Sequence, residues 1–490
     1  MFKINLQLSQ TPDESTRHLL PPHSDKTPFP STYNGVNPSF GREMRALFNF
    51  GPDYVPLNHG SFGTYPRALL EYRMKLLRDW EERECIFTVY DYPRLLRDSR
   101  AAVAPLLGAA VDDVVLVPNA TTGFNTILRN LAFAPGDVIL YPETIYASCR
   151  NTVLSLQETT PVRGHEIPLT YPLSDDDLVA LVRAALATLA ASGHRVRAAI
   201  FDTIASCPGV RVPWERLVAL CRAESPATLT IIDAAHGIGH LDLSHVGGAV
   251  QPDFLVTNCH KWLFAPRPAA VLYVPRRNQA LLTTALPTSH GYLPPPARGA
   301  IPAQTYFESL FTQGATADGT PYLTVPAALR FRALLCGGEE RVRDYCAALA
   351  RAGGDYVAGR LGTEVMENDE GTLREGVAFA NVRMPIHVAP RGFGRGMIPL
   401  VHGDGETTRG VVVEEEVEAV LEWWRRVAAD EYGTFFQTYF YGGRVWVRLS
   451  AQVYLERGDF VWAAEVLKEM CERVKDGEWR RGYEEGVGGY

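Results

Sequence analysis

The sequence predicts an α/β protein built on a mostly parallel central sheet, with a smaller α+β domain at its C-terminal end. Short apolar runs that are typical of buried strands, such as Ala198–Asp202 and Leu229–Ile232, alternate with helical stretches, such as Leu178–Ala191 and Trp214–Ala223. Strands and helices that alternate in this way indicate a parallel sheet covered by crossover helices. Further strands are predicted over 113–118, 138–140, 254–256 and 270–274, and a first helix over 67–83.

After Pro326 the pattern changes to long helices with few strands. Helices are predicted over 327–335, 339–361, 411–431 and 460–474, and strands near 376–382 and 445–449. The residues before Phe40 are rich in Ser, Thr and Pro and lack apolar periodicity, which is typical of a disordered tail. We therefore expect a disordered tail over 1–40, a large α/β domain with an N-terminal arm over 41–310, and a small α+β domain over 311–490.

Composition and charge exclude several classes of protein. The 490 residues carry a formal net charge of −8, and no basic excess favours a nucleic-acid partner. No apolar run of about 20 residues predicts a membrane span, and the first residues lack the apolar region of a secretory signal. The 8 cysteines show no C-x-x-C spacing, so no metal site is predicted. We expect a cytoplasmic enzyme that contacts neither nucleic acid nor a membrane.

Lys261 lies just beyond the apolar run 253–257, which predicts a lysine at the end of a buried strand. A lysine forms a Schiff base only when its amine is deprotonated, and partial desolvation lowers its pKa toward that state. Asp233 follows the neighbouring apolar run 229–232, and a carboxylate there can keep the ring nitrogen of pyridoxal phosphate (PLP) protonated. The alternatives are a lysine that extends into water and a helix N-cap. Together the two residues predict PLP.

Two further stretches supply groups that a PLP site needs. Asn119–Gly123 is a run of small and hydroxyl residues before a helix, where free backbone N–H groups and the helix dipole bind phosphate. The alternative is simple N-capping by Asn119 or Thr121. Arg448 follows an aromatic strand, and its guanidinium can grip a substrate carboxylate with two parallel hydrogen bonds. The alternative for Arg448 is a surface ion pair.

Five motifs carry a specific resemblance to a known family. They are Asn58–Gly63 (NHGSFG), Asn119–Gly123 (NATTG), Asp233–Gly239 (DAAHGIG), Asn258–Trp262 (NCHKW) and Arg448–Tyr454 (RLSAQVY). In this combination the chain resembles the class V aminotransferase family of PLP enzymes, fold type I, from about residue 40 to residue 475. Within that family it is most similar to the isopenicillin N epimerase-like branch.

The resemblance implies a role for each motif residue. Lys261 would bind PLP covalently, Asp233 would pair with the ring nitrogen, and His236 would lie near the phenolic oxygen. Tyr146 would stack on the ring or act as a general acid, and the site would form at a homodimer interface. Thr316 would reach the phosphate of the partner subunit. Arg448 would bind the substrate carboxylate, and Asn58 and His59 would contact the substrate. Binding of the phosphate within the same subunit is implied for Ala120, Thr121, Asn258 and His260.

The resemblance also implies an amino acid substrate. By similarity to the sulfoxide lyases of the branch, the implied reaction is β-elimination at a C–S bond of a cysteine conjugate or its sulfoxide, such as hercynylcysteine sulfoxide of ergothioneine biosynthesis. Glu166 stands where those lyases carry a cysteine, Gly314–Asp318 departs from a Gly-Thr-x-Asp pattern, and Gly442-Gly443 replace basic residues. The alternatives are a decarboxylating, ring-forming enzyme of loline-type alkaloid biosynthesis, an aminotransferase or epimerase, and a scaffold without activity.

Overall fold

The computed structural model describes residues 38–299, 301–312, 316–392 and 410–480. The predicted tail over 1–40 lies outside the described residues except for its last three positions. Of the segment Gly314–Asp318, the structure describes only residues 316–318.

A seven-stranded sheet forms the centre of the protein, and its strands follow the order β1-β7-β6-β5-β4-β2-β3. Strands β2 to β6 run parallel to one another, whereas β7 is antiparallel to both β1 and β6. The predicted α/β class with a mostly parallel sheet is therefore confirmed. The strands are β1 (Val114–Val117), β2 (Asp137–Pro142), β3 (Arg163–Ile167), β4 (Arg195–Asp202), β5 (Leu229–Ala234), β6 (Phe254–Asn258) and β7 (Ala270–Tyr273).

Helices cover both faces of this sheet. The longer helices before residue 320 are α1 (Arg67–Glu82), α2 (Tyr92–Val103), α3 (Ala120–Asn130), α4 (Ala147–Thr159), α5 (Asp175–Ala191), α6 (Trp214–Glu224) and α7 (Ala303–Thr312). Apolar side chains of α3 and α4 share one core cluster with Ile200, Ile231 and Val256, whereas those of α5 and α6 pack on the opposite face with Phe201 and Ile232. The first of these two faces carries the residues of the candidate site.

The close approach of α3 to the sheet depends on Gly123. A Cβ atom at this position would lie 2.6 Å from Cγ1 of Val256 on β6, which is too short for any real contact. Glycine therefore lets the first turn of α3 lie directly against the strand that leads to Lys261.

The C-terminal part forms a smaller α+β domain. A three-stranded antiparallel sheet has the order β11-β12-β8, and β9 pairs with β10 in a second, parallel sheet. In the three-stranded sheet Arg448 lies between Gln437 and Asn381. The elements are α8 (Val325–Leu335), α9 (Glu339–Leu361), β8 (Phe379–Arg383), β9 (His387–Ala389), β10 (Val411–Val413), α10 (Val417–Tyr432), β11 (Gln437–Tyr441), β12 (Arg444–Ser450) and α11 (Arg457–Lys475). The division of the chain near residue 310 stays a prediction.

One local prediction is wrong, and one strand of the central sheet was not predicted. The helix predicted over 411–431 begins only at Val417, because Val411–Val413 pairs as β10 with β9. Strand β3 was not predicted, since Arg163–Ile167 is mostly polar and only Ile167 is fully buried at this sheet edge. Within the part of the chain that the structure describes, no helix is long and apolar enough to cross a membrane.

Candidate active site

The carboxyl ends of three neighbouring parallel strands deliver the central residues of the site. Asp202 is the last residue of β4, Asp233 lies near the end of β5, and Lys261 follows β6 after two residues. In open α/β sheets ligands bind outside the carboxyl ends of the strands, so this edge is the expected position of a cofactor. The structure thus joins Lys261 and Asp233, as their positions in the sequence predict.

Lys261 lies in a short helical turn, Cys259–Trp262, and its Nζ atom is 3.5 Å from Nε2 of His236. Burial of the ammonium group lowers its pKa to about 8, and the negative charge of Asp233 opposes this shift. A substantial fraction of the amine is therefore neutral near physiological pH, which is the form that acts as a nucleophile or as a base.

The main chain around Lys261 is held by His59. Nε2 of His59 donates to the carbonyl oxygen of Lys261 at 2.7 Å, and the hydroxyl of Tyr454 donates to Nδ1 of the same ring at 2.6 Å. Burial lowers the pKa of His59 to about 3, so the ring is neutral and both nitrogens are occupied. These contacts place His59 behind the lysine, where it holds the backbone rather than facing a ligand.

Two glycines let neighbouring loops approach the same turn. A Cβ atom on Gly63 would lie 1.9 Å from the carbonyl oxygen of His260, and one on Gly239 would lie 2.8 Å from the carbonyl carbon of Trp262. Both glycines have a positive φ, at 67° and 77°. The lysine turn is therefore enclosed by the Asn58–Gly63 and Asp233–Gly239 motifs, and no side chain is tolerated at either contact.

Asp233 is 3% exposed, and its carboxylate has donors from two directions. Oδ1 accepts from the backbone N–H of Ala235 at 2.8 Å, and Oδ2 lies 3.5 Å from Sγ of Cys149 on α4. Burial raises the pKa of Asp233, while the Ala235 N–H and the charge of Lys261 oppose that shift. Asp233 can therefore present a buried carboxylate to a cationic ring nitrogen.

His236 contacts both the Lys261 amine and neighbouring aromatic residues. Its Nδ1 accepts from the indole N–H of Trp262 at 3.3 Å, and its ring meets Phe379 edge to face. Burial, together with the charge of Lys261, lowers the pKa of His236 well below its ordinary value. The ring is therefore neutral, and its Nε2 faces the lysine amine.

The predicted phosphate loop is the first turn of helix α3. The helix begins at Ala120, capped by Asn119, whose Oδ1 accepts from the backbone N–H of Thr122 at 2.8 Å. Oδ1 of Asn258 accepts from the backbone N–H of Ala120 at 2.9 Å, which fixes the helix N-terminus to the end of β6. The half-buried Thr121 lies in the same turn. The N–H groups of Ala120 and Thr122 are thus already used, so an anion at this helix end would be stabilised by the helix dipole and by the N–H of Thr121.

His260 follows Asn258 by two residues and is anchored by Ala269. Its Nδ1 is 2.7 Å from the carbonyl oxygen and 3.2 Å from the backbone nitrogen of Ala269, so either tautomer has a partner. Burial lowers the pKa of His260 to about 4. The 2.7 Å contact fits Nδ1–H donating to the Ala269 carbonyl oxygen, which leaves Nε2 as the ring nitrogen for a ligand.

Arg448 is a buried cation, 1% exposed. Its guanidinium donates to Ser206 O at 2.6 Å and to Ser61 Oγ at 3.0 Å, and it lies 4.4 Å above the ring of Phe379. Its Nε has no hydrogen-bond partner, and no carboxylate among the described residues pairs with it. Since buried charges are normally paired, this guanidinium fits a carboxylate ligand rather than the predicted alternative of a surface ion pair.

The remaining predicted residues differ in how they join the site. Asn58 Oδ1 accepts from Ser61 Oγ at 2.8 Å and is 3.4 Å from Nη2 of Arg448, so Asn58 belongs to the guanidinium network. Tyr146 precedes α4 and is 47% exposed, which leaves its ring free to cover a ligand. Thr316 is exposed, and no contact in the described part of the chain joins it to these residues.

Sequence reasoning missed Asp202, Cys149 and the pair of aromatic partners Phe379 and Tyr454. Asp202 could have been found, because it ends a predicted strand beside the strand that ends in Asp233. The contacts of Cys149 and Phe379 cross between elements far apart in sequence, and no local pattern indicates them. Among the described residues, no group of three or more His, Cys, Asp and Glu side chains could hold a metal ion.

The chemistry of these groups fits PLP. A lysine with a lowered pKa, a buried carboxylate and a helix N-terminus lie at one sheet edge, matching the aldehyde, the ring nitrogen and the phosphate of the cofactor. Arg448, with its unpaired Nε, adds a site for a substrate carboxylate.

No protein-family model matches the chain. The chain is 36% identical over 467 residues to the L-cysteine desulfhydrase-like protein lolT1 of Epichloe uncinata, which covers 91% of this chain and 99% of that protein. The chain belongs to the class V aminotransferase family. Another member of similar length is the hercynylcysteine sulfoxide lyase of Schizosaccharomyces pombe, 29% identical over 89% of this chain and 99% of that protein. PLP is the cofactor of this family, which confirms the prediction from Lys261 and Asp233.

Solved structures show the same class V fold at low sequence identity. The cystine C–S lyase C-DES, in complex with its reaction product cysteine persulfide, has a TM-score of 0.65 at 15% identity and covers 85% of this chain and 98% of that chain. The cysteine desulfurase from Thermococcus onnurineus NA1 has a TM-score of 0.61 at 14% identity, with 87% and 97% covered. These likenesses confirm the predicted fold type.

Proposed function

We propose that this class V enzyme is a PLP-dependent C–S lyase that acts on an amino acid, namely a cysteine conjugate or its sulfoxide. The reaction is a β-elimination: the bond between Cβ and sulfur breaks, and addition of water then yields pyruvate, ammonia and the sulfur-containing fragment. The observation that carries the proposal is that Lys261, Asp233 and Arg448, which has no carboxylate partner among the described residues, act on one another at one edge of the sheet.

Arg448 orients the substrate in this proposal. Its guanidinium is fixed by Ser206 and Ser61, and its charge is close enough to Lys261 to contribute to the lowering of the lysine pKa. A carboxylate bound there places the α-carbon of an amino acid near the lysine amine. Fixing the substrate in this way removes an entropic part of the barrier.

Lys261 transfers the proton in this proposal, and Asp233 stabilises the positive charge of the ring nitrogen. When bound, PLP supplies an electron sink for the negative charge that develops at the substrate α-carbon. Asp233 keeps the ring nitrogen cationic, and the neutral amine of Lys261 accepts the α-proton. The pKa of about 8 at Lys261 suits this exchange, since the amine both takes and returns a proton near neutral pH.

Tyr146 has a role at the cofactor ring in this proposal. Its ring is 47% exposed and precedes α4, the helix whose Cys149 contacts Asp233. We assign it the covering of the cofactor ring and the donation of a proton to the departing sulfur group. Phosphate binding is assigned to Ala120, Thr121, Asn258 and His260, and the substrate side to Asn58, with His59 holding the lysine turn.

The leaving group is proposed from the relatives. They include L-cysteine desulfhydrase-like proteins, L-cysteine desulfhydrases and a hercynylcysteine sulfoxide lyase, whose names denote cleavage of carbon–sulfur bonds. We therefore propose cysteine thioethers and their sulfoxides, with hercynylcysteine sulfoxide of ergothioneine biosynthesis as the first to test. Release of pyruvate and ammonia, together with loss of the C–S bond, would be the positive result.

A second candidate is a decarboxylating, ring-forming enzyme of alkaloid biosynthesis. It is supported by the resemblance of the motifs to the loline-type branch of the family and by Glu166 in place of the lyase cysteine. Release of carbon dioxide from a 3-amino-3-carboxypropyl amino acid, without pyruvate, would favour this candidate. An aminotransferase would instead yield a keto acid, and an epimerase would only invert the α-carbon.

We further propose a homodimer in a reducing compartment such as the cytoplasm. Side chains of Ile86, Val89 and Tyr90 are apolar and 48%, 53% and 71% exposed, and a second copy of the chain would cover them. In such a dimer the exposed Thr316 would reach the partner's phosphate site. Sedimentation of the wild type and of Tyr90→Asp would test the dimer.

The proposed compartment is supported by the cysteines. All 8 are free thiols, which is typical of a reducing environment.

A further inference from the structure

Two acidic residues, not one, lie at the centre of the cofactor site. Asp202 at the end of β4 is the register partner of Asp233 on the adjacent parallel strand β5. Neighbouring strands are about 4.8 Å apart, and paired residues point to the same face of a sheet. Asp202 is 5% exposed and Asp233 3%. The two carboxyl groups therefore lie side by side in a buried environment.

The face on which they lie is the one covered by α3 and α4. Ile200 and Ile231, each two residues before one of the acids, belong to the core cluster that also contains Cys149 of α4. Because side chains alternate along a strand, Asp202 and Asp233 point to the same side as these isoleucines. Cys149 confirms this for Asp233, since its Sγ is 3.5 Å from Oδ2.

Hydrogen bonding distinguishes the two acids. Asp233 accepts from the backbone N–H of Ala235 at 2.8 Å and has the thiol of Cys149 beside it. The carboxyl of Asp202 has only its own backbone N–H as a donor within the described part of the chain. Two carboxylates that share one buried site do not both ionise, and the one with more donors holds the charge.

We propose that Asp202 is a protonated carboxylic acid in the folded protein and confines the single negative charge of the pair to Asp233. Asp202 is then a positioning residue that acts through Asp233, and its O–H group is a neutral donor facing the cofactor pocket. This inference deepens the proposed function, because it rests on Asp233 as the partner of the ring nitrogen. It does not depend on which substrate bond is broken.

The charged and titratable groups that face Asp202 agree with this assignment. They are Asp233 on β5, Lys261 after β6, Cys149 on α4 and Tyr171 beyond β3. Burial and then the charge of Asp233 raise the pKa of Asp202 well above its ordinary value, and only Lys261 opposes them with a positive charge. A folded-state pKa above the unfolded one means that the native state binds more protons, so stability falls as pH rises.

The test uses Asp202→Asn, which keeps the shape and neutrality of a protonated carboxyl, and Asp233→Asn as its counterpart. In the cofactor-free protein, infrared difference spectra of wild type against Asp202→Asn should show the C=O stretch of a protonated acid. With PLP bound, the pH midpoint of the visible absorption band should shift by less than about 0.5 unit in Asp202→Asn and by more than about 1 unit in Asp233→Asn.

Two results would overturn the proposal that Asp202 is protonated. Absence of a protonated-acid band from the wild-type spectrum would overturn the proposal even if the variants failed to fold. A midpoint shift in Asp202→Asn as large as that in Asp233→Asn would overturn it as well, because it would show that Asp202 is ionised. Neither readout involves turnover, so a failure of the C–S lyase assignment leaves both measurements interpretable.

Discussion

Nε2 of His59 donates a 2.7 Å hydrogen bond to the main-chain carbonyl oxygen of Lys261. The contact links the first motif of the chain to the lysine motif across 202 residues, and Tyr454 completes it from the C-terminal domain. The position of the lysine thus depends on three segments that are distant in sequence. Loss of this support should be measurable apart from the chemistry itself.

His59→Ala should destabilise the protein by about 1–3 kcal/mol, because it leaves a buried carbonyl group without a partner. Tyr454→Phe removes only the hydroxyl that donates to the His59 ring, and we expect a smaller loss. Urea unfolding of the cofactor-free proteins measures both values. Equal stability of His59→Ala and wild type would show that the contact does not hold the lysine turn.

Gly63→Ala should disrupt the site more severely. The added Cβ would lie 1.9 Å from the carbonyl oxygen of His260, and φ is 67°, a conformation that side chains rarely adopt. We expect a destabilisation of more than about 2 kcal/mol and weaker PLP binding. Gly51→Ala is the matched control, since nothing lies within 4 Å of its added Cβ. Similar unfolding midpoints for the two variants would contradict the packing described above.

Arg448→Lys should lower kcat/KM for every amino acid substrate, because a lysine cannot make the two-pronged contact with a carboxylate. Removing one partner of a buried charge pair costs about 2 kcal/mol or more, which corresponds to at least about a 30-fold loss. The control is Arg444→Lys, since Arg444 is exposed and pairs with Glu364. An unchanged kcat/KM in Arg448→Lys would remove Arg448 from the substrate site.

The rate of covalent PLP attachment should depend on the ionisation of Lys261. Because burial lowers the pKa of this lysine to about 8, the rate should rise with pH and level off above that value. An ordinary lysine would keep rising to about pH 10.4. Asp233→Asn should lower the midpoint, since the charge of Asp233 favours the ammonium form. Mixing cofactor-free protein with PLP at a series of pH values and following absorbance measures both midpoints.

Much of the fold was predictable because its signals are local. The strand that leads to Lys261 and the long helix Glu339–Leu361 follow directly from apolar runs and helical periodicity. The mostly polar strand β3 and the short strand Val411–Val413 were missed, because only pairing with a neighbour makes them strands. Local patterns are insufficient wherever a partner strand determines the structure.

The residues of the site also divide into those with a local sequence signal and those brought together only by tertiary packing. Lys261, Asp233 and the helix N-terminus at Ala120 were predicted, since each lies at or just beyond the end of a recognisable strand. The two partners of the His59 ring and the thiol beside Asp233 come from segments far apart in the chain. Such contacts depend on tertiary packing, which one sequence does not specify locally.

The most direct test of the proposed C–S lyase activity is product release by the PLP-loaded enzyme from cysteine thioethers and their sulfoxides, with hercynylcysteine sulfoxide included. We predict that wild type releases pyruvate and ammonia in equal amounts, and that Lys261→Ala releases neither and lacks the visible band of covalently bound cofactor. The proposed C–S lyase activity would be contradicted if the wild type, with that band present, released no pyruvate from any of these substrates.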